Sequence, residues 1–163
     1  MSNENSAKGA IIGTAVISMG MSITFCALWG TYLQVTSDPA FDCQVEGVVV
    51  TDTWSTAIKL NFWTYLIISI SGLLAVAGAF VPAIRLANSV IQSCCLGTLQ
   101  LAAIIYLGVV RLNRYGAVCA DPGIATQFPL VNQTSTFMLN MFISQCVLSC
   151  CIMSCMSTSA KFK

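Results

Sequence analysis

The sequence predicts an all-α membrane protein, a four-transmembrane-helix bundle with two extracellular or luminal loops, the first containing a short β-element. Three observations lead there. Charged residues are only 8% of the chain and apolar ones 56%, against about 25% charged in an ordinary soluble domain. Mean hydropathy is +0.81, and a chain of 163 residues has too little interior to hide so much apolar surface from water. The few charges are also spaced so that they leave four uncharged runs of membrane-crossing length.

The first run, residues 9–33, lies in the charge-free interval between Lys8 and Asp38. The polar segment before it carries a single lysine, and the run is too long for a signal-peptide core, so a retained signal anchor is expected. The second run, 60–84, is bounded by Lys59 and Arg85, and the third, 86–110, by Arg85 and Arg111. The fourth, 137–157, lies in an uncharged stretch that ends at Lys161. Each meets the roughly 20-residue requirement for crossing about 30 Å of hydrocarbon. A helix also satisfies its own backbone polar groups, as lipid requires. Spans two and three meet at Pro82-Ala83-Ile84-Arg85 as a tight hairpin, whereas loops 34–59 and 111–136 are long. The whole chain, 1–163, therefore reads as one tetraspan domain.

Lys8, Arg85, Lys161 and Lys163 fall on the side of the tails and tight turn; Lys59, Arg111 and Arg114 fall on the side of the loops. That bias is small by the positive-inside rule. Two loop features give it direction. Asn132-Gln133-Thr134 is a glycosylation sequon with Asn132 as acceptor, and each loop holds one cysteine, as an oxidising compartment permits. Both termini are accordingly expected in the cytosol, with the protein in the plasma membrane or the secretory and endomembrane system.

The first loop contains the run Val48-Val49-Val50-Thr51, whose β-branched residues favour an extended strand, after a turn at Asp38-Pro39. The second has a turn signal at Asp121-Pro122-Gly123. Cys43 and Cys119 are the cysteines clearly outside the spans. They are candidates for a bridge between the loops, worth roughly 4 kcal/mol on the chain-entropy model; free thiols and pairing with a neighbouring subunit are the alternatives.

Inside the spans the informative feature is what is missing. No acidic or basic residue lies there, and the chain has no histidine. Ion-coupled transporters and the proton-carrying ring subunits of rotary ATPases need an intramembrane ionisable group, and quinone-linked thiol oxidoreductases need a CxxC pair. Neither is present, so no catalytic residue, cofactor or metal is expected. Small residues are plentiful instead: Gly9 and Gly13 form a GxxxG, and Ser71, Ala75 and Ala79 repeat every fourth position. Such ridges let helix backbones approach in lipid. Gln92, Gln100, Asn140 and Gln145 are candidates for hydrogen bonds between helices. Cys150, Cys151 and Cys155 near the cytosolic end are candidates for palmitoylation.

At Leu28-Trp29-Gly30, Cys43 and Trp54 the chain resembles the claudin and tetraspanin families in architecture. The resemblance implies four spans, a β-prone first loop and a role in cell contacts or lateral strands. It departs in its cysteines, since claudins pair two within the first loop and tetraspanins carry a Cys-Cys-Gly motif in a large second loop. The expected function is a non-enzymatic scaffold that assembles laterally, as a homo-oligomer or with a membrane-protein partner, in contact with membrane lipid. An accessory subunit of a larger complex and an oligomeric channel are the alternatives. The near-neutral charge of +1 points away from nucleic acid, and no small-molecule substrate is suggested.

Overall fold

The structure, a computed structural model, describes residues 2–121, 123 and 129–161, without the side chains of residues 2–8, 10–11, 82, 93 and 151–161. It is mostly helical. Helix α1 runs Ser2–Val35, followed by strands β1, Gln44–Val45, and β2, Val48–Val49. Helix α2 is Val50–Gly78 and α3 is Pro82–Val90; a π-helical turn, Ile91–Leu96, leads directly into α4, Gly97–Leu112. A short α5, Arg114–Cys119, precedes α6, Pro129–Lys161. Three segments are long and apolar enough to cross a membrane: Ile12–Val35, Val50–Gly78 and Ala83–Leu112. The chain is thus a membrane protein with a small sheet, as the charge spacing implies.

Two compact units divide it. The first comprises Met1–Gln34 and Thr56–Ala103, the second Val35–Ser55 and Ile104–Lys163. In the first unit α1 and α2 run antiparallel. Phe25 stacks on Tyr65 with ring centroids 5.0 Å apart, the Cys26 thiol lies 4.0 Å from the Phe62 carbonyl, and Gly72 faces Met19. The partner on α2 moves down the helix as its residue on α1 moves up. The α2–α3 hairpin is tighter still, because a Cβ at Gly78 would lie 2.9 Å from the Cα of Arg85. Only glycine lets the two backbones come that close.

The break between α2 and α3 falls at residues 79–81, just ahead of the Pro82–Arg85 turn read from the sequence. Val81 is extended at φ −122°, the conformation a following proline imposes. Pro82 then occupies the first helical turn, where its missing N–H costs nothing. Arg85 is consequently inside α3, with its N–H donating to the Val81 carbonyl at 3.2 Å.

In the second unit β1 and β2 pair antiparallel, with Gln44 opposite Val49 and Val45 opposite Val48. Their two-residue turn places Glu46 at φ 53° and Gly47 at φ 80°, the pair of left-handed residues that matches strand twist. The expected β-element is present but short. Its β-branched run continues as helix from Val50, so residues 50–59, read as loop, are the first turns of α2. Asp52 in the first turn suits a helix N-terminus, and the Val50 N–H donates to the Cys43 carbonyl at 3.0 Å. The second connection is also more helical than expected. Asn113 caps α5 by accepting the Gly116 N–H at 2.6 Å, and α6 begins at Pro129, well ahead of residue 137.

Helices α4 and α6 are antiparallel neighbours in this unit: Gly108 admits the Phe142 ring, and the Arg111 Nε donates to the Ser135 carbonyl at 3.1 Å. Trp54, Leu107, Val131 and Met138 are wholly buried.

Replacing Gly78 by alanine should destabilise the protein by about 1–3 kcal/mol, the cost of overpacking against a backbone that cannot yield. Gly20→Ala, where an added Cβ meets nothing within 4 Å, should be neutral or stabilising. Reversible unfolding in mixed detergent micelles measures both.

Candidate functional site

Two constructions stand out, one in each unit. The cap of the second unit is closed by a disulfide between Cys43 and Cys119, with Cα atoms 6.2 Å apart and 76 positions of sequence between them. It joins the residue ahead of β1 to the last residue of α5. Both half-cystines are buried. The loop-to-loop bridge inferred from cysteine position is therefore intramolecular. Around it, Phe41 packs on Trp54 with centroids 6.4 Å apart, and Arg114 pairs with Glu46 at 2.9 Å. That ion pair is 76% and 55% exposed on its two side chains, so it contributes at most about 1 kcal/mol. It does tie the hairpin tip to the start of α5. Asp38, Asp42, Asp52 and Asp121 are exposed around this cap, which gives its surface an acidic character.

In the first unit, polar side chains form a seam between α2 and the α3–α4 segment. The Ser71 hydroxyl donates to the Asn88 Oδ1 at 3.1 Å and accepts from the Gln92 Nε2 at 3.0 Å. Farther along, the Gln100 Nε2 lies 3.5 Å from the Tyr65 hydroxyl, at the long limit of a hydrogen bond. Ser71 and Asn88 are buried. Ser18 of α1, Ile68, Gln92, Leu96, Gly97 and Gln100 line a cavity of about 190 Å³ beside this seam.

The π-helical turn explains why Gln92 and Gln100 meet there. In a regular α-helix they would point about 80° apart. A π-turn absorbs an extra residue, which brings them within about 20°. Here the Gly97 N–H donates to the Gln92 carbonyl, five residues back. Nothing in the residue pattern of Ile91–Leu96 announces that turn.

The other candidates fall in different places. Ala75 and Ala79 are half-buried, whereas Gly9 and Gly13 are exposed, and a Cβ on either glycine would meet nothing within 4 Å. Among the described residues the GxxxG therefore packs against no other helix of this chain; Gly72 and Gly78 make the close approaches instead. Gln145 is 2% exposed, but Asn140 is exposed and does not join the seam. The sequon is also out of place: Asn132 is half-buried within α6, and the wholly buried Thr134 donates its hydroxyl to the Leu130 carbonyl at 2.8 Å. A glycan acceptor belongs on a surface loop. Cys150 is exposed, while the side chains of Cys151 and Cys155 lie outside the described residues.

Asn88, Tyr65 and Ser18 are the seam and cavity residues that sequence reasoning missed. The position of Asn88, four before Gln92 and so on the same helical face, was the available signal. The chemistry this set supplies is neutral hydrogen bonding. Among the described residues no group of three or more metal-ligating side chains is brought together.

No family model matches the chain, and neither does any curated protein or solved structure.

Alkylation without reduction should leave Cys43 and Cys119 unmodified. Cys43→Ser and Cys119→Ser should each lower stability by about 2–4 kcal/mol, and the double variant by no more than either. In the seam, Ser71→Ala removes the group that both amides share. It should cost about 0.6–1.7 kcal/mol, the range for hydrogen bonds between membrane helices, in the same detergent titration.

Proposed function

We propose that this chain is a non-enzymatic tetraspan protein that assembles laterally, with copies of itself or with another membrane protein, to organise the membrane around it. The observation that carries the reading is the open ridge on α1. Gly9 and Gly13 face no described part of their own chain, so their backbone is available to a neighbouring helix. In lipid, where apolar side chains gain little by meeting each other, such close backbone approach is what drives association.

The fourth span in this reading is α6. It carries no charge between Pro129 and Ala160, its length exceeds the roughly 20 residues needed, and it runs antiparallel to α4 in its unit. Four crossings put both termini on one side, and the Cys43–Cys119 bridge supports assigning the cap to the oxidising side and the termini to the cytosol. The plasma membrane or the endomembrane system fits that arrangement. The buried Trp29 and Trp54 and the bridged first loop add to the architectural similarity with claudin-like and tetraspanin-like proteins. The channel alternative has less support, because Gln92 and Gln100 hydrogen-bond to Ser71 and Tyr65 and so act as helix-to-helix ties.

The test is energy transfer between donor- and acceptor-labelled copies of the full chain in lipid vesicles as protein density rises. Association should appear without other proteins, and Gly13→Leu should weaken it about tenfold, equivalent to about 1.4 kcal/mol. A chain that stays monomeric at every density, or that is recovered from native membranes only with an unrelated subunit at fixed ratio, defeats the self-assembling form of the proposal.

A further inference from the structure

The cavity beside the polar seam contains more hydrogen-bonding capacity than the protein uses. Gln92 commits its Nε2 to Ser71, and its Oε1 has no partner among the described residues. Gln100 reaches only toward Tyr65 at 3.5 Å, and its Oε1 is likewise unpaired among them. The Ser18 hydroxyl has no partner there either; that residue contributes only its backbone carbonyl, to Ser22 at 2.9 Å. Gln92, Gln100 and Ser18, each with an oxygen unpaired among the described residues, therefore line one space of about 190 Å³.

Its setting makes this costly. Gln92 lies about 15 Å along the helix from Pro82, and Gln100 about 18 Å from Leu112, at 1.5 Å per residue. Both are deep in the hydrocarbon region of a segment that spans Ala83–Leu112. Water is not available there to satisfy an exposed amide, and each unsatisfied group costs several kcal/mol. Ser18, Gln92 and Gly97 are exposed at the protein surface, so the space opens toward lipid.

We propose that this cavity binds the hydroxyl group of a neutral lipid, with the O–H donated to the Gln92 and Gln100 carbonyls and its oxygen accepting from Ser18. Among the described residues the lining contains no charged side chain, which rules against a phosphate or ammonium headgroup, whose charge would be stranded at that depth. Each amide keeps a spare N–H as well as its Oε1, but only a ligand that brings a donor can pair the two oxygens. An ether or a quinone, which only accepts, would leave both oxygens unpaired. Ile68 and Leu96 supply apolar walls for the adjoining carbon skeleton. The volume is below the 300 Å³ or so at which pockets begin to enclose whole small molecules, so the site holds the polar end of a lipid whose body stays in the bilayer. The π-helical turn is what builds it, by turning both amides to one face. The inference depends on these helices lying in lipid and not on lateral assembly.

Sterols and diacylglycerols both present such a hydroxyl. The test uses the full chain in phosphatidylcholine vesicles with photoreactive analogues of each, and a photoreactive alkane without oxygen as reference. At least one hydroxyl probe should label the stretch from Gln92 to Gln100 saturably, and the probe that saturates at lower mole fraction identifies the source. The free alcohol should compete for that label, and its methyl ether should compete at least tenfold less well. Gln92→Leu and Gln100→Leu should each reduce labelling about tenfold, while Gln92→Asn should retain more than Gln92→Leu. The competition arm needs no variant, so it decides the matter even if a substitution prevents folding. Labelling equal to that by the alkane, competition by the ether as strong as by the alcohol, or saturation by neither hydroxyl probe overturns the proposal.

Discussion

Hydrocarbon offers no partner for a polar atom, and most of this structure follows from how the chain meets that condition. The membrane-crossing segments keep their few charges, Asp52, Lys59, Arg85 and Arg111, near their ends, and their helices satisfy the backbone internally. What remains is a small set of amides and hydroxyls that must find each other. Ser71 is the junction, since it donates to Asn88 and accepts from Gln92. That arrangement fixes the register of α2 against the α3–α4 segment more narrowly than apolar contact can. A one-residue slip would separate both amides from the hydroxyl they share. Gly78 enforces the same register from the turn, because its Cα stands where a side chain would strike Arg85.

Outside the hydrocarbon the requirement is reversed. Loop segments in water bury little apolar surface, and a two-stranded hairpin is marginal by itself. The cap uses other means: the bridge from Cys43 to Cys119, a capped helical turn, and the packing of Phe41 on Trp54. Gly116 contributes to the same compactness, since a Cβ there would collide with the Val110 carbonyl. A left-handed Glu46 is an unusual choice for a tight turn. Its carboxylate is occupied with Arg114, and that contact anchors the turn against the strain of its backbone.

The sequence makes the coarse features legible because they depend on residue type alone. Three of the four uncharged runs, a β-branched stretch in the first loop, and two cysteines outside those runs each have a direct structural counterpart. Features that depend on phase are not legible in the same way. Gln92 and Gln100 look like separate polar positions until the π-turn brings them to one face. The GxxxG of α1 looks like internal packing, yet a motif of small residues does not say which partner it meets. Val50 to Lys59 reads as loop because a β-branched run and the charge at Lys59 mask the helix-start signal of Asp52. The sequon at Asn132 is a matter of three residues only, and α6 includes it because Pro129 starts a helix upstream.

The separation of the two bridged cysteines has a consequence for how the protein is made. Cys43 is translated with the first loop, but its partner follows α2, α3 and α4 and ends α5. Throughout that interval the hairpin residue carries an unsatisfied thiol, with seven other cysteines distributed along the full chain. Of those, only Cys26, Cys94 and Cys95 precede Cys119, and they lie in segments long and apolar enough to cross a membrane, where a thiol is withdrawn from exchange; the other four follow it. Placing those three thiols in lipid would leave Cys43 with no competing thiol ahead of Cys119 outside the helices.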